Sequence, residues 1–275
     1  MAEAYTDFAS VYDELMDATP YEAWKDRILR LIRTYGVSKP GDRTAPSKEP
    51  SDEEAILASE RDLVVDLGCG TGTLSELLWQ EGFDVIGIDN SDAMLEKAME
   101  KRETSGSDIL YLLQDMRELS LYSTVGTVVS ACDSVNYVLD DEELLTVFSL
   151  VNNYLYPGGL FIFDFNTDYK YREVIGDATI AENRDDCSFI WENYYDPDER
   201  INEYDLTIFL RKEGDLFERT TETHFQRGYE PAEIRALLEQ AGLEVILMND
   251  ADTDRDISET SERVYVVARE ITKKL

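Results

Sequence analysis

The sequence predicts an α/β fold: a doubly wound, mostly parallel seven-stranded sheet carrying an antiparallel β insertion. Three observations predict it. From Leu63 onward short apolar runs alternate with amphipathic stretches of helical period, the pattern of parallel strands joined by crossover helices. The first of these runs passes directly into glycines at every second position, LVVDLGCGTG over 63–72, a strand that turns sharply into a helix. Residues 178–227 instead have period 2, which belongs to antiparallel strands with one covered face.

The elements follow in order. Tyr5, Phe8, Val11, Tyr12 and Leu15 share one face at helical spacing and predict a helix over 5–16. Thr19-Pro20-Tyr21-Glu22 reads as a capping box opening a second helix that runs to Tyr35. Trp24, Ile28, Leu31 and Ile32 form its buried stripe and Gly36 is its stop. Residues 1–37 are thus expected to form a helical lid. Residues 38–61 hold three prolines and many charges, and are expected to be a mobile insertion with a short helix over 51–60 capped by Ser51 and Glu54.

The α/β unit is expected over 62–168 and 228–275. Its strands are 63–67, 83–89, 109–113, 125–131 and 160–165, the last entered through a Pro157-Gly158-Gly159 turn. Helices are expected over 73–81, 91–103 and Asp140–Tyr154. After the insertion, Glu230-Pro231 opens a helix stopped by Gly242, and strands 243–248 and 263–269 close the sheet. Within the insertion, 169–227, Phe189, Trp191, Asn193 and Tyr195 form one face, and Tyr204, Leu206, Ile208 and Leu210 alternate likewise. Asp196-Pro197-Asp198-Glu199 and Glu213-Gly214-Asp215 are its turns, so three or four strands facing the substrate are expected.

Composition narrows the partners. With 59 acidic against 26 basic residues and a net charge of −33, nucleic acid and anionic membranes are poor partners, because phosphate binding draws on clustered Lys and Arg. No apolar run approaches the roughly 18 residues of a membrane span, and the acidic N-terminus lacks an apolar signal region, so a cytoplasmic protein is expected. Cys69, Cys132, Cys187 and the single His224 give neither a disulfide framework nor a zinc set. Asp250, Asp252, Asp254 and Asp256 lack the glycine and terminal glutamate of a calcium loop, so no metal is expected.

The glycine turn carries the chemistry. A pyrophosphate-binding turn spaces its glycines G-x-G-x-x-G, and here Thr73 stands where the third glycine belongs. Asp66 places a carboxylate beside the turn, which repels a pyrophosphate and suits a ligand bearing an amino group and a sulfonium. The next strand ends in Asp89, where a carboxylate can accept two ribose hydroxyls. In strand, D-x-G-x-G-x-G turn and trailing acid, the chain resembles the class I S-adenosylmethionine-dependent methyltransferases, well over 60–167 and more loosely over 229–270.

The resemblance implies S-adenosyl-L-methionine as cofactor and a small molecule as methyl acceptor. Asp66, Gly68, Cys69 and Gly70 correspond to the turn under the methionine portion. Asp89 and Asn90 correspond to the ribose and adenine positions, Asp115-Met116 to the adenine pair, and Cys132, Asp133 and Ser134 to the fourth strand's end under the cofactor. The N-terminal Tyr5, Phe8, Ala9, Tyr12 and Asp13 match a Y-x-x-F-A-x-x-Y-D segment that lies over the cofactor in similar small-molecule methyltransferases, where Tyr5 and Tyr12 would face the sulfonium.

For catalysis, His224, Asp133 and Tyr12 are the candidate bases if the acceptor is a hydroxyl; an amine needs only orientation and desolvation. Arg227 pairs with a substrate carboxylate or with one of the many acids. Residues alone leave open N versus O transfer, monomer versus homodimer, a non-catalytic S-adenosylmethionine-binding module, and a nicotinamide-dependent oxidoreductase.

Overall fold

Strands β1 (Leu63–Leu67) and β4 (Val125–Ser130) are apolar almost throughout because both of their faces are covered, and they lie at the middle of the sheet. The computed structural model describes residues 5, 8–41 and 53–273. With β2 (Asp84–Asp89), β3 (Leu110–Leu113), β5 (Leu155–Asn166), β10 (Leu243–Asp250) and β11 (Arg263–Glu270), they form seven strands in the order β10-β11-β5-β4-β1-β2-β3. The first five in chain order pair parallel, while β11 runs antiparallel to both β5 and β10. The order reverses between β1 and β4, and ligands of open α/β sheets bind beyond the carboxyl ends of strands at that point.

One face of the sheet is covered by α2 (Tyr21–Tyr35) and α4 (Thr73–Gln80), whose Ile28, Leu29, Ile32, Leu74 and Leu78 pack with Val64, Val85 and Val267. The other is covered by α6 (Asp141–Tyr154) and α7 (Pro231–Gln240), where Val147, Phe148, Ile234 and Leu238 meet Phe161, Phe163 and Val266. The acids at the start of α6 answer its unpaired N–H groups: Asp140 accepts from Glu142 and Glu143 N. The insertion is one antiparallel sheet of β6 (Thr179–Asn183), β7 (Cys187–Asp196), β8 (Ile201–Arg211) and β9 (Phe217–Arg227). Its inner face carries Tyr204, Leu206 and Ile208 with Trp191 and Phe189, and receives Phe8 and Val11.

Three expectations are corrected. The N-terminal stretch is a 3-10 turn, Phe8–Ser10, followed by a single turn, α1 (Tyr12–Leu15); Val11 between them leaves the helical region at φ −122°, and Glu222 on β9 accepts the backbone N–H groups of Tyr5 and Phe8. Thr19 does not cap α2; Pro20 holds the capping position, and the Thr19 hydroxyl lies one residue too early and turns to Met16 Sδ at 3.9 Å. Pro157-Gly158-Gly159 is a register shift inside β5, which pairs with β4 on both sides of it. Within the predicted insertion, α3 (Glu53–Asp62) forms as expected, while its proposed cap Ser51 and the stretch 42–52 lie outside the described residues.

Candidate active site

The turn after β1 is built on three left-handed glycines, Gly68 (φ 78°), Gly70 (φ 54°) and Gly72 (φ 75°), a region that side chains rarely adopt. Gly68 and Cys69 donate their N–H groups to Ile88 O at 2.7 and 2.9 Å, which ties the turn to the end of β2. Asp89 tightens it further. One carboxylate oxygen accepts from Gly70 N at 2.8 Å and the other from Ser91 N at 2.9 Å. Burial raises the Asp89 pKa, while these N–H donors oppose the rise.

Above this turn opens a cavity lined by Asp66, Gly68, Cys69, Gly70, Asp89, Asn90, Asp115 and Met116. Tyr5, Tyr12, Cys132 and Ser134 line it as well, so eleven of the twelve expected cofactor residues border one cavity. The twelfth, Asp133, does not line it. Cys132 and Asp133 both adopt left-handed backbone (φ 62° and 51°), and Asp164 accepts both of their N–H groups at 3.0 Å. That turn swings the Asp133 carboxylate away from the cavity, where it accepts from Gln226 Nε2 at 2.7 Å and lies 3.8 Å from Arg263.

His224 is also outside the lining: it is 1% exposed, with Nδ1 3.3 Å from the Tyr137 hydroxyl and Nε2 3.2 Å from Glu222. Of the three candidate bases only Tyr12 lines the cavity, and burial holds its pKa well above the usual phenol value. Arg227 pairs with Asp141 at 2.9 Å and donates to Leu139 O, as the acid-pairing alternative had it. Asp115 lines the cavity with its carboxylate capped by Arg117, whose guanidinium lowers the Asp115 pKa.

Sequence reasoning missed Tyr21, Gln114, Arg117 and Tyr137 in the lining. Gln114 and Arg117 flank the Asp115-Met116 pair, so register along the β3 end was a usable signal. Tyr137 had none, because its 3-10 turn (Ser134–Tyr137) reaches the cavity only through its packing beside β9.

The N-terminal segment is tied to the residues around this space. Tyr5 O accepts from Ser91 Oγ at 2.8 Å, and Asp13 takes the Thr71 hydroxyl at 2.6 Å and Lys101 Nζ at 2.7 Å. Tyr5 and Tyr12 thereby become part of the wall.

The residues fit S-adenosylmethionine. A Cβ at Gly70 would meet nothing within 4 Å, so bare backbone faces open space there. Each Asp89 oxygen has a lone pair left after its backbone bond, which suits two ribose hydroxyls. Asp66 is 1% exposed, accepts the Ser75 hydroxyl at 2.6 Å, and burial raises its pKa to about 7. The folded chain therefore keeps the Asp66 proton up to about pH 7, while the unfolded chain releases it near 4. The folded state binds more protons between those values, so the Asp66 contribution to stability is fully present below pH 4 and is lost as pH rises through 7. Asp66→Asn, which keeps an acceptor for Ser75, is expected to show a smaller Tm loss between pH 5 and pH 8 than the unmodified protein. Identical losses in calorimetric melts would mean that Asp66 ionises normally.

Comparison with known proteins agrees with this geometry. Residues 64–159 match the methyltransferase domain family. The chain is 34% identical over 265 residues to a methyltransferase-family protein of Geobacillus sp. (strain WCH70), covering 96% of this chain and 99% of that one. It is 34% identical over 266 residues to the family protein YqeM of Bacillus subtilis (strain 168), covering 96% of each. The crystal structure of an S-adenosylmethionine-dependent methyltransferase from Clostridium acetobutylicum ATCC 824 superposes with a TM-score of 0.80 at 26% identity, covering 98% of this chain and all of that one. No helix among the described residues is long and apolar enough to cross a membrane. Sheet order, glycine turn, strand-end acids and near full-length relatives converge, and the chain belongs to the class I S-adenosylmethionine-dependent methyltransferases.

Proposed function

We propose that this methyltransferase acts on a small-molecule amine and that residues 1–37 serve as the lid; the β insertion, expected to face the substrate, contributes no residue to the cavity lining and acts from behind it, through the contacts of Glu222 and His224 with Tyr5 and Tyr137. The observation that carries the reading is the chemistry of the cavity wall away from Asp89 and Asp115. It consists of Tyr5, Tyr12, Tyr21, Tyr137, Cys132, Ser134, Ala131 and Val138. Burial keeps its titratable groups neutral: Tyr5, Tyr12 and Tyr137 are raised well above the ordinary phenol value, and Cys132 is pushed up to about 12. A hydroxyl acceptor must lose its proton during attack, and among the described residues of this wall none is a base able to take it near neutral pH. A neutral amine attacks with its own lone pair and needs only alignment and a dry site.

When bound, S-adenosylmethionine supplies an electrophilic methyl group on a sulfonium. Asp66 would hold its amino group, Gly68 and Gly70 would admit its methionine portion, and Asp89 would accept its ribose hydroxyls. Asn90, Met94, Met116 and Asp115 would enclose the adenine. The tyrosines of the lid would border the cation and exclude water. The high negative charge of the chain attracts the protonated form of an amine over long range, and the amine gives that proton to solvent before it enters the site and attacks.

Release of S-adenosylhomocysteine with separate panels of amines and of alcohols and phenols, with mass spectrometry of the products, tests the reading. Turnover is expected with amines, each product heavier by one methyl group. Methylation confined to hydroxyls would overturn it.

A further inference from the structure

His224, Glu222, Tyr137, Tyr204 and Tyr5 form a continuous buried polar array that ends at the cavity. Tyr137 Oη lies 2.6 Å from Tyr5 Oη, 2.7 Å from Tyr204 Oη and 3.3 Å from His224 Nδ1. On the far side of the ring, His224 Nε2 is 3.2 Å from Glu222 Oε2. Glu222 also accepts the N–H groups of Tyr5 and Phe8 at 2.9 and 3.0 Å, so the carboxylate that latches the N-terminal segment also faces the histidine. The Tyr204 ring stacks on the imidazole at 4.8 Å with an interplanar angle of 6°, and the Tyr5 ring meets its edge at 4.9 Å, which fixes the ring plane.

With Glu222 ionised and the imidazole neutral, donor and acceptor capacities leave one consistent direction for these bonds. The carboxylate then only accepts, so His224 carries its proton on Nε2, leaving Nδ1 as an acceptor. Only Tyr137 can donate to Nδ1. A phenol has one proton, so Tyr137 must accept from both Tyr5 and Tyr204. The Tyr5 proton is then committed to Tyr137, and Tyr5, a residue of the cavity lining, is left with lone pairs on its oxygen.

We infer that the His224–Glu222 pair, through Tyr137, sets Tyr5 as a hydrogen-bond acceptor in the cavity, which selects a methyl acceptor presenting an N–H, a primary or secondary amine. The selection deepens the amine reading and rests on it. Tertiary amines, ethers and carbonyl groups offer Tyr5 no proton and leave its oxygen unpaired in a desolvated site, which is costly. His224 and Glu222 are positioning residues here; neither lines the cavity. Reversing the array requires only loss of the Nδ1 acceptor, after which Tyr137 is free to donate to Tyr5 and Tyr5 to donate into the cavity.

Sinefungin, which carries an amine in place of the methylsulfonium, places an N–H donor beside this wall without any knowledge of the natural acceptor. Calorimetric Kd values at pH 8 are expected to favour sinefungin over S-adenosylhomocysteine by about tenfold in the unmodified protein. His224→Phe keeps an aromatic ring against Tyr204 but lacks Nδ1, and is expected to erase that preference while leaving S-adenosylhomocysteine affinity within about twofold. His224→Gln offers one acceptor and one donor and is expected to restore the preference. Because His224 is the sole histidine, its imidazole ¹⁵N resonances in the unmodified protein read the tautomer directly, and Nε2–H is expected at pH 8. An Nδ1–H tautomer, equal affinities for the two ligands, or a preference that survives His224→Phe would each overturn the inference. None of these readouts uses the acceptor panels, so failure of the amine reading registers separately.

Discussion

Gly68→Val abolishes binding of S-adenosylhomocysteine while the sheet stays folded: this is the largest effect expected of any single substitution in the site. Two costs combine. Gly68 sits at φ 78°, a backbone conformation that a β-branched residue strongly resists. A Cβ there would also stand 2.6 Å from Ser134 Oγ and 2.7 Å from Ser134 Cβ, closer than real Cβ contacts allow. The turn must therefore shift, and with it the N–H groups of Gly68 and Cys69 that bond Ile88 O and the cavity floor between β1 and β4. Calorimetric titration, with circular dichroism as the check on folding, reads the result. Wild-type affinity in a folded variant would mean that the turn has no part in holding the cofactor.

Asp89→Ala is expected to weaken S-adenosylhomocysteine binding by roughly 2–3 kcal/mol, about 30- to 150-fold. Its carboxylate is placed for two tasks at once. It holds Gly70 N and Ser91 N, and its remaining lone pairs suit the ribose. Removal unpairs two backbone donors and takes the acceptor from two hydroxyls, so the loss should appear as a weaker Kd together with a modestly lower Tm. A Kd unchanged in a folded Asp89→Ala protein removes the residue from the site.

Local order in the chain was enough for most of the scaffold. The apolar run 63–67 and the alternation after it specify buried parallel strands, since a strand covered on both faces has no polar positions to spare. The glycines at 68, 70 and 72 specify a left-handed turn that other residues resist. Glu230 and Pro231 start α7 with the capping box and first-turn proline that their types favour. Asp66, Asp89 and Asp115 were legible for the same reason: each lies at or within two residues of the end of a strand of the parallel sheet, and all parallel strands end on one side.

Where the outcome depended on partners distant in the chain, only the tertiary structure decided it. The helical spacing of Tyr5 to Leu15 is real, yet the segment forms only short turns, and it is docked by Glu222, more than two hundred residues away in sequence, which takes the Tyr5 and Phe8 N–H groups. Asp133 has a strand-end position like the other acids, but two successive left-handed residues, pinned by Asp164 and Arg263, rotate it toward Gln226. His224 reads as an isolated histidine on a strand, and its partner across the array, Tyr137, lies in a loop with no motif. Sequence by itself determined the fold and the strand-end side of the cavity, because these follow from periodicity, glycine conformation and the common polarity of parallel strands. The phenol-lined part of the cavity, with the buried His224–Glu222 pair behind it, was decided by the docking of the N-terminal segment and the insertion. Hydrogen bonds between residues far apart in the chain leave no local pattern to read.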